Sequence, residues 1–441
     1  GNSASSGGGM YLSAGGTVTN STLTANAADS VGGIYSNSPL MLGNSILWEN
    51  GGADLGRPAK LVGSWNLIGL DPGWVRDPLD GGDGWQDDPS TPSVDESANN
   101  DYGDLHLTDH SIAIGYGNRG LLPTDSEDLD GDLDTAEPIP WDADGQPRVY
   151  GASVDCGAYE FQGEPAAGRE TPSVVVTTAS DTFDLTDGQI SLREAVYYAG
   201  MGDLGTAVNF APALDGATLK LNGTMIWLDK PLSIDASALQ SLTIDGDGKS
   251  RVFRVTASDV VLDSLDITGG RADFGGAIYS SGSLTLRNST LSGNTATSSG
   301  GSIYNASGTL ELVSTTVANN SASGSGGGIY SSGTATFTQA TFSTNAASGS
   351  GGGVYSSNRL TVTDSDFSGN TANSSGGGIF SSGTLIVSGG TYSDNKAQGS
   401  YGQGGAIFSS GTATISNSAL TNNAVPGYYG YGSGVYGSGS L

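Results

Sequence analysis

Seven times between Gly275 and Leu441 the chain repeats a Gly-Gly-x-aliphatic-aromatic phrase or a close variant of it. The aromatic falls at Tyr279, Tyr304, Tyr330, Tyr355, Phe380, Phe408 and Tyr436, at intervals of 25 to 28 residues. Fifteen or sixteen residues after each of the first six comes an asparagine: Asn294, Asn320, Asn345, Asn370, Asn395 and Asn423. The same phrase opens the chain around Tyr11 and Tyr35, with Asn2, Asn26 and Asn50 at a 24-residue period. A fixed period in the twenties marks a solenoid, in which each repeat is one unit that cannot bury its apolar face alone.

Aligned repeats share three apolar columns. Ile278, Ile303, Ile329, Val354, Ile379, Ile407 and Val435 make the first. Leu286, Leu312, Phe337, Val362, Val387 and Ile415 make the second, and Leu291, Val317, Phe342, Phe367, Tyr392 and Leu420 the third. Between them Ser and Thr alternate with the apolar residues, the period-two pattern of a strand with one buried face. Three short strands joined by Gly, Ser and Asn turns account for a repeat. The expected fold is therefore all-β, a right-handed parallel β-helix with each coil about 4.8 Å above the last. Recurrence in every coil makes the asparagine column an amide ladder rather than a binding site. Glycine is expected at the corners, where positive φ or close backbone approach is needed.

Of the 441 residues 72 are Gly and 14% are charged, with a formal net charge of −29. The glycine bias belongs to turns, because the apolar columns persist through it. Scarce Lys and Arg argue against nucleic acid as a partner, and no apolar run reaches the ~20 residues that span a bilayer. A lone cysteine, Cys156, excludes an internal disulfide framework. The acid is concentrated: residues 51–164 hold 24 Asp and Glu against 5 Lys and Arg, whereas residues 269–441 hold 5 against 4.

That acidic middle interrupts the repeats and carries four of the six tryptophans (Trp65, Trp74, Trp85 and Trp141) and both histidines. A solenoid closes its last coil with something non-repetitive. Farther on, Ser191-Leu-Arg-Glu194 is a capping box ahead of Ala195, Val196 and Tyr197, so a short amphipathic helix is expected to lie over the first coil of a new solenoid. An end cap followed by a start cap implies two tandem solenoids. The expected organisation is coils in 1–70, an acidic end cap in 71–163, a linker in 164–172, an opening cap in 173–215 and a second β-helix in 216–441.

Three stretches resemble known proteins. HSIAIGYG, DADGQPR ending at Arg148, and Asp155-Cys-Gly-Ala-Tyr-Glu160 resemble the C-terminal closing segment of bacterial extracellular right-handed parallel β-helix proteins, although Gly115 stands where the usual wording has Asp. ISLREAV, with Leu192, Arg193, Glu194 and Ala195, is similar to the CSLREA-type opening segment of the same proteins but lacks the leading cysteine. The phrases Gly275 to Tyr279 and Phe367 to Asn370 resemble repeats of chlamydial-type polymorphic outer-membrane proteins. These resemblances imply a bacterial extracellular or cell-surface location.

For chemistry, Ser126-x-Asp128-x-Asp130-Gly131-Asp132-x-Asp134-x-x-Glu137 sets side-chain oxygens at alternating positions, with Gly sixth and Glu twelfth, as in an EF-hand loop. Calcium takes six to eight oxygens from such a flexible loop. Asp142, Asp144 and Gly145 form a second DxDG, and Asp245 and Asp247 an acidic turn read as structural. Loops inserted around Tyr401 and around Tyr428, Tyr429 and Tyr431 offer tyrosines suited to contacting sugars or protein.

The expected function is a non-catalytic structural and adhesive segment of a long surface or filament-forming array. Its expected partners are further copies, or a continuation of the chain, stacked on both ends, together with surface polysaccharide. Gly1 aligns with Gly293 and Leu441 with Leu284, so both ends are expected to lie within a coil. The rival reading is a polysaccharide lyase or glycoside hydrolase of β-helix type, which needs a basic residue beside clustered acids or two carboxylates flanking the bond. Asp364 and Asp366, read as sharing a strand face, have Gln339, Thr341, Gly389 and Thr391 as aligned neighbours, with no Lys or Arg. His106 and His110 lack an aligned nucleophile.

Overall fold

The computed structural model describes residues 2–48 (less 30 and 39), 50, 54–56, 61–62, 66–68, 74–76, 104–108, 111–126 (less 112, 116 and 118), 129, 137–149, 154–163, 170–201 and 204–440. The chain divides into two compact units, Gly1–Thr171 and Pro172–Leu441.

In the second unit the strands stack in parallel into a β-solenoid. One sheet has ten strands, from Val175–Val176 to Thr412–Ser416, and two have nine, running from Thr218–Lys220 to Ala419–Thr421 and from Ile226–Leu228 to Val435–Gly437. The register pairs like with like: Leu286 with Leu312, Leu291 with Val317, and Ile278 with Ile303. All three apolar columns point inward, and Ile303, Leu312, Phe342 and Phe367 are fully buried. Ile415 and Leu420, in the last coil described, are only partly covered.

A fourth sheet of six short strands, Arg271–Phe274 to Lys396–Ala397, was not legible as a strand in the repeat. Four of its members are just two residues long, as in Ser321–Ala322, too short for alternation to register. Corner chemistry also departs from expectation. The bend between the first two sheets is left-handed at Asn288, Ser314, Gln339, Asp364 and Asn417 as well as at Gly389, so one positive-φ residue per coil is mostly not glycine. Asp364 is thus a bend residue, and only Asp366 lies in the following strand, Asp366–Ser368, so the two do not share a strand face. Glycine is required in the repeated phrase itself. Gly326 has φ +69°, and a side chain on Gly327 would strike the carbonyl of Gly352 in the next coil.

The asparagine column is a ladder. Each backbone N–H and each Nδ2 donates to Oδ1 of the asparagine one coil on, the Nδ2 bonds being 2.9–3.1 Å from Asn294 to Asn423. Nδ2 also donates to a strand carbonyl, as from Asn345 to Val317 at 2.8 Å and from Asn370 to Phe342 at 2.9 Å. Each buried amide of this ladder is therefore satisfied through its neighbours. Inside the coil, Phe342, Phe367 and Tyr392 stack at 4.4 and 5.1 Å. The Tyr392 hydroxyl is buried without a partner, and burial pushes its pKa up. Tyr392→Phe removes that orphan while keeping the ring, so urea unfolding should show a gain of about 1 kcal/mol. A loss would mean that the hydroxyl has a partner.

At the opening of this unit the capping box forms: Glu194 N donates to Ser191 Oγ at 3.2 Å and Ser191 N to Glu194 Oε2 at 2.6 Å. Glu194 Oε1 also accepts from Asp184 N, and burial raises the pKa of this carboxyl. The helix Leu192–Met201 is buried on all faces as far as Gly200 rather than on one stripe, and Phe183 packs edge-on against its Tyr197. Arg193 fixes it to the coils. Its Nε and Nη2 grip both carboxylate oxygens of Asp181 at 2.6 and 3.0 Å, and its Nη atoms donate to the carbonyls of Thr224 and Met225.

The first unit repeats the pattern in shorter form, with three three-stranded parallel sheets. Its asparagine ladder runs Asn2, Asn26, Asn50 and ends on Asp54 Oδ1 at 2.7 Å, where burial raises the Asp54 pKa. Beyond the coils Trp74–Arg76 pairs antiparallel with Asp104–Leu107. Gly157 N donates to Asn44 O at 2.8 Å and Ala158 N to Thr22 Oγ1 at 3.1 Å, which seats the 154–158 stretch on the coils.

Candidate functional site

Two of the regions singled out in the sequence can be built from described residues. Asp128, Asp130, Asp132, Asp134 and also His110 lie outside them. Of the remaining acids in the closing segment, Asp142 holds the turn 142–146 together. Its Oδ1 accepts from Asp144 N and Gln146 N at 3.2 and 2.8 Å, and its Oδ2 from Glu160 N at 2.9 Å. Burial raises the Asp142 pKa, with Asp144 adding to the effect. Asp144 is held below the usual carboxylate range by hydrogen bonding with Asp142 and then with His106, whose Nε2 lies 2.9 Å from Asp144 Oδ2. Glu137 lies beside Asp125, whose N–H donates to the Glu137 carbonyl at 2.7 Å. Asp125 is buried, its Oδ2 accepting from Leu129 N at 2.8 Å while Oδ1 has no partner. Among the described residues no group of three or more His, Cys, Asp or Glu could hold a metal ion.

Asp155 is the hub of this segment. Its two oxygens accept from Gly115 N and Phe161 N, its N–H donates to Glu160 Oε2, and its carbonyl accepts from the buried Arg148. These acids bind backbone, which accounts for their wording in the sequence as structure.

The second region is the pair of inserted loops. Tyr429 N donates to Ser400 O and Tyr431 N to Gly402 O, at 2.9 and 3.1 Å, so the loops stack backbone on backbone. Tyr401 and Tyr429 stack at 5.2 Å, and Tyr428 meets Tyr429 edge-on at 4.9 Å. The rings nonetheless remain open, Tyr401 at 73% and Tyr428 at 88% exposure, with Tyr431 tilted toward Tyr436.

The acidic turn at Asp247 is neutralised by lysines. Lys220 Nζ lies 2.6 Å from Oδ1 and Lys249 Nζ 2.7 Å from Oδ2, and their hydrogen bonds lower the Asp247 pKa to about 2. The carboxyl should therefore stay charged until the pH falls toward 2. An NMR titration of Asp247 should show this and move back toward the ordinary value in Lys220→Ala; an unshifted midpoint in the parent chain would refute the pairing.

One feature escaped the sequence columns. The outer aromatic column stacks at 4.7–5.6 Å with ring planes within 12° from Tyr279 to Tyr436. In register below Tyr279 come Arg254 and then Trp227. The Arg254 guanidinium lies 4.6 Å from the Trp227 ring centre and 5.3 Å from that of Tyr279. Writing Val-Phe-Arg-Val beneath Ala-Ile-Tyr-Ser would have revealed the place, but the column was followed by its aromatics and stopped at the irregular coils.

No curated protein and no solved structure matches the chain. A family model, the Chlamydia polymorphic membrane protein repeat, matches residues 314–332 and 364–382. Each match begins at a left-handed bend, crosses the strand and the ladder asparagine, and ends in the Gly-Gly-Gly-Ile-aromatic phrase. In these two coils the chain is similar to that repeat in the residues that build a coil.

Proposed function

We propose that the chain is a non-catalytic, rigid segment of a bacterial cell-surface protein, holding distance and presenting the tyrosine loops as an adhesive face. The unbroken register of the coils carries this reading: each coil offers its neighbour the same backbone edges, asparagine and aromatic ring that its other neighbour offers it. Such a heterologous surface propagates by stacking, with further coils of the same or another chain as partner. Similarity of two coils to a membrane-protein repeat supports the surface location, and the wording of the opening and closing segments supports an extracellular β-helix protein. No helix among the described residues is long and apolar enough to cross a membrane, which says nothing of a β-barrel.

Antiserum against the chain should label intact cells and protease should remove the label; labelling only after lysis would refute a surface location. Incubation with acidic and neutral polysaccharides should release neither reducing ends nor unsaturated uronates, and saturable release would establish the lyase or hydrolase reading instead. Light scattering should show mass growing with concentration if copies stack, and a fixed monomer at all concentrations would exclude stacking of copies.

Calcium is the cofactor proposed for the segment from Asp128 to Glu137. Asp125, three positions before it, supports this with a buried carboxylate oxygen that has no protein partner. Added calcium should raise the thermal midpoint and a chelator should reverse it; indifference to both would remove the proposal.

A further inference from the structure

Arg254 is an unusual cation. Both faces of its guanidinium are covered, by Trp227 on one side and Tyr279 on the other. None of its N–H groups bonds to a protein acceptor, and Nε is buried with no partner at all. The side chain is half-buried, and its two Nη atoms are not among the fully buried orphans, so they keep some contact with solvent. Arg251 lies beside it, 5.3 Å from the same Tyr279 ring. It is held by backbone, with Nε on Gly275 O at 3.0 Å, Nη2 on Phe274 O at 2.6 Å and Nη1 against the Met225 thioether at 3.5 Å. Neither arginine forms an ion pair. The carboxylate that Arg251 feels is that of Asp273, whose Oδ1 accepts from Thr297 Oγ1 at 2.5 Å. Burial lowers the pKa of both, that of Arg251 to about 10 with Arg254 adding repulsion, so Arg251 remains charged near neutrality; a guanidinium as a class keeps its proton in proteins.

Two adjacent guanidinium groups with no carboxylate in contact, in a chain of net charge −29, form a positive site that the fold compensates only through the more distant Asp273. Ring faces stabilise a cation but accept no hydrogen bond in the guanidinium plane. That plane is matched by an oxyanion, which can accept two parallel N–H bonds along one edge. We propose that Arg254, with Arg251 beside it, binds the carboxylate or sulfate group of an acidic polysaccharide lying along the outer aromatic column.

The sugar is favoured over a bare ion by what continues from the site. Tyr279, Tyr304, Tyr330 and Tyr355 follow one per coil on the same outer face, among Ser and Thr, and residues 269–441 are nearly neutral, so a polyanion is not repelled. Because those rings stack on one another, they offer edges and hydroxyls, which suit the polar groups of a glycan. The site is independent of the tyrosine loops: Tyr428→Ser should leave it unchanged, so the two readings fail separately.

Binding of polygalacturonate, dextran sulfate, neutral dextran and inorganic sulfate to the full chain would be measured by calorimetry in the presence of a chelator, which removes calcium bridging. The tryptophan fluorescence change that is lost in Trp227→Phe provides a local readout. Expected are saturable binding of at least one acidic polymer and a tenfold or greater loss of affinity in Arg254→Met, whose side chain still fills the stack. Arg254→Gln and Arg251→Gln provide the same comparison should the methionine variant fail to fold. A preference for polygalacturonate or for dextran sulfate identifies the acid group, and equally tight sulfate alone would overturn the polysaccharide assignment. Absence of acidic-polymer binding, or equal binding by the variants and the parent, would overturn the site.

Discussion

Replacing Asn345 by alanine is expected to lower the unfolding free energy of the second unit by about 3–5 kcal/mol, since each buried polar group left unpaired costs about 1–3. The side chain donates to Asn370 Oδ1 at 2.9 Å and to Val317 O at 2.8 Å, and its Oδ1 accepts from both N and Nδ2 of Asn320. Alanine strands the Val317 carbonyl and the Asn320 N–H in an interior that excludes water. Asn423→Ala provides the control. Asn423 is only partly covered, so water can replace what it gives Asn395, and a loss of about 1 kcal/mol is expected there. Solenoid stability is nearly a sum over neighbouring coils, so hydrogen exchange should localise the damage to the coils around Asn345. If urea unfolding found Asn345→Ala no worse than Asn423→Ala, the ladder would be shown to add little beyond the backbone.

Arg193→Met should cost about 3–5 kcal/mol, the usual penalty for breaking a buried ion pair from one side. The side chains of Arg193 and Asp181 are 7% and 2% exposed, so water cannot solvate the carboxylate left behind. Asp181 would retain only the Asn222 N–H, at 2.7 Å. The carbonyls of Thr224 and Met225 would lose a charged donor, loosening the helix Leu192–Met201 from the coils. Pairing Arg193→Met with Asp181→Asn should recover a good part of the loss. Equal destabilisation by the single and the double variant, measured by urea unfolding, would show that packing of the arginine stem, and not its charge, holds the cap.

What could be read in advance follows the length of the pattern. Ile278, Leu286 and Leu291 each recur in coil after coil, so their columns, their inward direction and the solenoid itself were legible from spacing alone. The capping box was equally local, four residues with a known geometry. Ser321–Ala322 was lost because a two-residue strand has no period. The left-handed bends at Ser314, Gln339 and Asp364 were lost because glycine was expected wherever φ is positive; polar residues occupy those corners instead.

The site chemistry was less legible, since its partners are distant in sequence. Arg193 meets Asp181 across a loop, and Arg254 joins Trp227 and Tyr279 from separate coils, pairings fixed by register rather than by wording. The tyrosine loops stood out as insertions, yet only the structure separates the more from the less exposed ring, Tyr428 at 88% from Tyr429 at 51%.

The direction of the ladders has a mechanical consequence. Backbone bonds between coils and the Asn294 to Asn423 amide chain all run along the stacking axis. Tension applied along that axis loads the strands of a coil in parallel, so separating two coils requires the bonds of several sheets to fail together. Force applied sideways at a single strand meets those bonds one after another, as a zipper does. A fibre built this way would resist shear flow that pulls it lengthwise and yield to whatever unpicks one coil by its edge.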